Sequence, residues 1–294
     1  MNKSKMALFC GLVFSLCQSA IAAPEIIKVT HLQNRPTIMA RINASDPMLF
    51  VLDTGFGGKV MLDNAIAEKL GLKHIRTRTV NNMGMGDFTF EQYEGGAVQV
   101  SSISITVDTF EAQKGLDQFM AQLGEDELGN KPVGVVSPWQ LTKGTISFNS
   151  DLTSIEVNDH GRLEATDADV LPYSFASGLP SFKANINGKT YTAHIDTGSP
   201  APLIIPARFM DEFDLLEEPV ERGEARTVGM QHKMWTAKLS GKVRLGSYIL
   251  QDPTVLFVER MPAINIGLRA LKDGSVIIDP DNELIKFTHN SNKN

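Results

Sequence analysis

Two aspartates in this 294-residue chain sit in matching surroundings. Residues 50–55 read Phe-Val-Leu-Asp-Thr-Gly and residues 193–198 read Ala-His-Ile-Asp-Thr-Gly. Each triplet places a carboxylate at the end of an apolar, strand-like run, directly before a tight turn. One such triplet is weak evidence. A matched pair implies two carboxylates, Asp53 and Asp196, brought together at a pseudo-two-fold axis. Two carboxyls at close quarters cannot both ionise cheaply and share a proton, so one can activate a water while the other polarises a carbonyl.

The elements around each aspartate repeat as well. Val60, Met61 and Leu62 fall opposite Leu203, Ile204 and Ile205, and Ile66, Leu70 and Leu72 fall opposite Phe209, Phe213 and Leu215. The spacing predicts a short helix in each half. Asp63 is placed to cap the first and Gly71 to stop it, while Pro206 suits the first turn of the second. Thr37–Asn43 and Phe182–Ile186 read as strands. The first turns back through Ala44-Ser45-Asp46-Pro47, the second through Asn187-Gly188, a pair suited to a two-residue hairpin. Arg78-Thr79-Val80 and Arg226-Thr227-Val228 follow. Residues 144–157 then align without a gap on 274–287, each reading as strand, turn, strand, and each preceded by an apolar-Gly pair, Val133-Gly134 and Ile266-Gly267.

These motifs resemble the retropepsin/pepsin-like aspartic protease superfamily over about residues 36–157 and 180–288. The compact halves and their Gly-Leu helices look closer to bacterial exported, bilobal retropepsin-like proteins than to secreted pepsins. The resemblance implies an all-β fold, mainly strand with short helices: two duplicated β-barrel lobes about a pseudo-two-fold axis. It implies an aspartic endopeptidase with Asp53 and Asp196 catalytic and no cofactor or metal. Thr54 and Thr197 are expected to bond across the junction. Gly55 and Gly198 allow close approach and backbone conformations closed to other residues. Phe56 departs from the pattern, because Ser or Thr usually follows the triplet. Ser199 keeps the pattern and is expected to donate a hydrogen bond to Asp196, leaving the shared proton mainly on Asp53.

A hairpin usually covers such a site. The candidates are Val80–Tyr93, with Met83, Gly84, Met85 and Gly86 at its tip, and Val228–Trp235, with Trp235 against substrate. His194 precedes Asp196 by two residues, on the same face of a regular strand. The distance from Asp53 to Gly144 is 91 residues against 78 from Asp196 to Gly274, and the surplus falls in Glu111–Lys131. That acidic insertion reads as a helix around Leu116, Phe119, Met120 and Leu123. It is expected to pack on the core, or to cover the site.

Residues 1–22 read as a signal peptide: Lys3 and Lys5, the apolar run Met6–Leu16, then Ala20-Ile21-Ala22. The exported product is expected in the periplasm or outside the cell, with lobes at 23–165 and 166–294. Both cysteines, Cys10 and Cys17, fall in the removed segment, which leaves no disulfide. Losing Lys3 and Lys5 takes the net charge from −6 to −8, which argues against nucleic acid as partner. A peptide or protein substrate, a single-chain monomer and no membrane anchor are the expectations. The alternative is a peptide-binding protein that keeps the fold with little or no turnover. The remaining histidines show no metal-ligand spacing, and no phosphate loop or serine elbow is present.

Overall fold

The computed structural model describes residues 23–82, 86–149, 153–175, 179–227, 230–272 and 274–289. The proposed signal segment and the hairpin-tip residues Met83, Gly84 and Met85 lie outside these. The fold is mostly β, as expected, with short helices.

Six strands of the first half close into a barrel. Arg35–Ile42, Met48–Leu52, Pro132–Val136, Val60–Asp63, Ile103–Gln113 and Gly86–Val100 pair in that order, and Ala40 against Val100 closes the ring. The second half repeats this with Ser181–Ile186, Lys189–Ile195, Ile264–Ile266, Leu203–Pro206, Thr254–Val258 and Met230–Lys238. There the two long strands are interrupted, and the separate hairpin Lys242–Leu245/Tyr248–Gln251 supplies the pairing to Ser181–Ile186.

A further sheet joins the halves, running Glu25–Lys28, Ser154–Asn158, Thr145–Asn149, Gly274–Asp279, Leu284–His289, Val170–Ser174. At its centre Ile146 pairs with Ile278 and Phe148 with Val276. The ungapped alignment matches Ile146 with Val276 and Phe148 with Ile278, so each pairing is the image of the other. The two-fold axis therefore passes through the Ser147–Ile277 pair. All four flanking side chains are buried, and burial of each such side chain stabilises by about 1.5–3 kcal/mol.

The strand leading to Asp53 is buried on both faces. Phe50 and Leu52 point into the barrel, and Leu49 and Val51 into a second cluster. Helix α2 (Leu116–Ala121) covers that second face with Leu116 and Met120, joined by Leu123 and by Val135 from the neighbouring strand. The insertion is thus a packed cover, although Glu111–Gln113 belongs to the strand before it. Helix α1 (Asn64–Lys69) is capped by Asp63, whose Oδ1 accepts from Ala65 N at 2.8 Å, and it ends at Gly71 with φ +65°. Its counterpart, Ala207–Glu212, is a 3-10 turn rather than an α-helix. Pro206 stands where Asp63 does and has no side-chain acceptor for the first free N–H groups.

The hairpin turn at Asn187-Gly188 has φ of 50° and 86°, as a type I′ turn requires. A second equivalence surrounds it. Asn43 and Asn187 both have φ near +50°, and their Oδ1 atoms accept from Ala97 N (3.0 Å) and Lys242 N (2.8 Å). A Cβ on Gly96 or on Gly241 would lie 2.1 Å from that oxygen, so each asparagine needs its glycine.

Candidate active site

Each aspartate is held by a strand that ends beneath it. Asp53 N donates to Val136 O at 3.0 Å and Asp196 N to Ile266 O at 2.9 Å. The threonines then lock the two turns together. Thr54 N donates to Thr197 Oγ1 (3.0 Å) and Thr197 N to Thr54 Oγ1 (2.9 Å). Thr54 Oγ1 itself donates to Ile195 O (2.8 Å), and Thr197 Oγ1 to Leu52 O (2.6 Å). Both side chains are fully buried, so no water can replace these bonds.

The glycines bring the carboxyls together. A Cβ on Gly198 would lie 2.5 Å from Asp53 Cγ, and one on Gly55 would lie 2.6 Å from Asp196 Cγ. Neither glycine has positive φ, contrary to the expectation of a special backbone conformation. What excludes a side chain is the carboxyl of the other half. Gly55 N donates to Asp53 Oδ1 at 2.7 Å.

The pair is electrostatically uneven. The Asp53 carboxyl is held well above the usual carboxylate range, first by burial, then by the charge of Asp196 and a hydrogen bond shared with it. The Gly55 and Gly198 amides oppose this without cancelling it. Burial and its charged neighbour therefore favour the protonated form of the Asp53 carboxyl. The Nδ2 of Asn265 donates a short hydrogen bond to Asp196 Oδ2. Val135 occupies the matching place beside Asp53 and donates nothing.

That match corrects the alignment. In space Ile266-Gly267 corresponds to Val136-Ser137, not to Val133-Gly134, because the backbone bonds to Asp53 and Asp196 come from Val136 and Ile266. Gly267 and Ser137 each begin a 3-10 turn, Leu268–Leu271 and Pro138–Gln140. The pairing between Met48–Leu52 and Pro132–Val136 also carries a one-residue irregularity between Leu49 and Val51.

Ser199 does not donate to Asp196. Its Oγ donates to Ala201 O at 3.3 Å and braces its own loop. Phe56 turns away to pack against the cluster under α2, with its Cζ 2.3 Å from where a Gly58 Cβ would be. The two departures from symmetry, Phe56 and the insertion, are thus one packing unit.

His194 is buried, and its Nδ1 has no partner. Burial lowers its pKa and Asp196 opposes that, so the ring is neutral at pH 7. It lies across from Asn265 on the parallel strand, so Val51 and Val135 of the first half are replaced by His194 and Asn265 in the second. The hairpin His74–Asn82/Gly86–Val100 forms, with Asn82 paired to Gly86. Its counterpart is Val220–Thr227/Met230–Lys238. Trp235 lies on the Met230–Lys238 strand, paired with Phe257 and packed in part against the core.

Three residues near the turns carried no motif: Asn265, Trp139 and Arg35. Trp139 Nε1 donates to Thr54 O at 3.2 Å and its ring packs on Tyr173 and Phe175, each at 5.5 Å. Arg35 feels the charges of both aspartates. The correct register at Ile264–Ile266 would have exposed Asn265 as a polar residue in an apolar strand. Among the described residues no group of three His, Cys, Asp or Glu side chains is placed to hold a metal ion.

Residues 182–270 match a family model described as aspartyl protease, a span that contains Asp196, Asn265 and Gly267. No curated protein matches the chain.

Proposed function

We propose that this chain, a retropepsin-like aspartic protease by family, is an endopeptidase that completes its site within one polypeptide. The observation that carries this reading is the carboxyl pair, each carboxyl lying against the glycine of the other triplet inside the reciprocal threonine bonds. The ionised Asp196 takes a proton from a water held between the carboxyls. That water attacks the scissile carbonyl while Asp53 donates its proton to the carbonyl oxygen. The resulting gem-diol collapses as a proton passes to the leaving nitrogen, and no covalent intermediate forms. Buried threonines keep the carboxyls in register, which reduces reorganisation during the reaction.

Export to the periplasm or beyond is proposed from Lys3, Lys5, the run Met6–Leu16 and Ala20-Ile21-Ala22. The partner is a peptide or protein, and the working form is a monomer, since both carboxyls come from one chain. N-terminal sequencing of exported protein should begin at Ala23. Cleavage of a mixed peptide library, blocked by a statine-type transition-state mimic, tests the activity. Cleavage that the mimic leaves untouched, or no cleavage at all, would overturn the reading.

A further inference from the structure

The hairpin that opens the first half carries a cation, Arg35, at the head of the strand that pairs with the one leading to Asp53. Strands Thr30–Leu32 and Arg35–Ile42 are joined through Gln33 and Asn34, at φ of 49° and 66°, a tight two-residue turn. Its tip is tied to the insertion: Gln33 Nε2 donates to Gln122 O at 2.5 Å, and Leu32 packs with Leu116 and Met120. Arg35, the first residue of the returning strand, is therefore fixed in place. Its guanidinium carbon stands 5.9 Å from the centre of the Phe119 ring.

The donors of this guanidinium are largely unused. Nη1 lies 3.5 Å from the Gln33 carbonyl, a distance at which a hydrogen bond contributes little. No carboxylate forms an ion pair with Arg35 among the described residues. Burial pulls its pKa below the ordinary arginine value, and the charges of Asp196 and Asp53 oppose that. Thr37 pairs with Val51 on the neighbouring antiparallel strand, so the register brings Arg35 level with Asp53, and no hydrogen bond or ion pair joins it to either aspartate among the described residues. Ahead of the second half's Pro180 the matching residue is Leu179, so the charge stands on one side of the site only. A planar fork of five N–H donors pairs best with a carboxylate, and a half-buried one gains most from it.

We propose that Arg35 is a specificity residue that binds a carboxylate of the peptide, so that the site selects substrates with an acidic group near the scissile bond. This rests on the peptidase reading of the same site. The carboxylate is either an Asp or Glu side chain or the peptide's own C-terminus. Arg35 also offsets the repulsion between that group and the ionised Asp196.

The test uses uncleavable reduced-amide peptides in matched pairs, Glu against Gln within the chain and free acid against amide at the C-terminus. Binding is measured calorimetrically to the parent, Arg35→Gln and Arg35→Lys. The parent should bind the acid member of one pair about tenfold or more tightly. Arg35→Gln should bring the two members within about twofold, and Arg35→Lys should keep part of the preference. The pair that shows the effect identifies the source of the carboxylate. Equal binding of acid and neutral members by the parent, a preference that survives Arg35→Gln, or no binding at all would overturn the proposal. Cleavage of the matching ordinary peptides is read separately. Selective binding without cleavage would remove the peptidase reading and leave the role of Arg35 standing.

Discussion

Asn265 donates a short hydrogen bond to Asp196, and Val135, in the matching place beside Asp53, donates none. This donor stands on one half of a duplicated dyad only, and it adds to the burial that already sets Asp53 apart. Asn265→Val removes that donor and restores the symmetry. It should lower kcat/KM by about 10–100-fold. It should also move the acid limb of the pH profile to higher pH, because the singly ionised pair loses its support. Ser199→Ala should leave that limb in place, since Ser199 Oγ serves Ala201 O. The reverse pattern in the two profiles would show that the donor has been misassigned.

The raised pKa of Asp53 has a consequence for stability. The folded state binds this proton more tightly than the unfolded chain does. Asp53 therefore supports folding below its unfolded value, and that support is lost as pH rises from about the ordinary 3.8 through the folded value. Asp53→Asn cannot ionise. Urea unfolding across pH should show the variant gaining on the parent as pH rises through that window. A constant difference would contradict the raised pKa.

The reciprocal threonine bonds predict a coupled pair. Thr54→Ala or Thr197→Ala each leaves a buried N–H and a buried carbonyl without partners, at a cost of about 2–4 kcal/mol in chemical unfolding. Thr54→Ser and Thr197→Ser keep both bonds and should lose much less. The double alanine variant should lose less than the sum, because each threonine is the other's hydrogen-bond partner.

The legible parts of this chain are those where backbone chemistry is local. Asn187-Gly188, Asp63 with Gly71, and the ungapped blocks at 144–157 and 274–287 each act through their own residues. The register of the strand beside each aspartate was misread for a physical reason. An apolar-Gly pair marks the place in one half, whereas Ser137 fills it in the other and no residue type announces it. The Asn43 and Asn187 bonds to Ala97 and Lys242, each beside a glycine, are visible only as scattered letters, because the partners are 54 and 55 residues away. Asn265 and Arg35 act through contacts made at long range, and nothing beside them in sequence marks that.

Phe56 belongs to packing rather than to titration. It lies against the cluster under α2, and no donor to Asp53 would arise simply from replacing it. Phe56→Ser should cost about 1–2 kcal/mol of stability, as expected for a half-buried aromatic. The alkaline limb of the activity profile should stay where it is. A shifted limb with unchanged stability would return Phe56 to the dyad.

The central claim is that Asp53 and Asp196 act as one unit. The direct measurement is kcat/KM of the parent, Asp53→Asn and Asp196→Asn on one peptide drawn from the library, with circular dichroism confirming the fold of each. Each single substitution should lower kcat/KM by about 10³-fold or more, and the double variant by little beyond that. Near-parental turnover in either single variant would contradict the shared-dyad account.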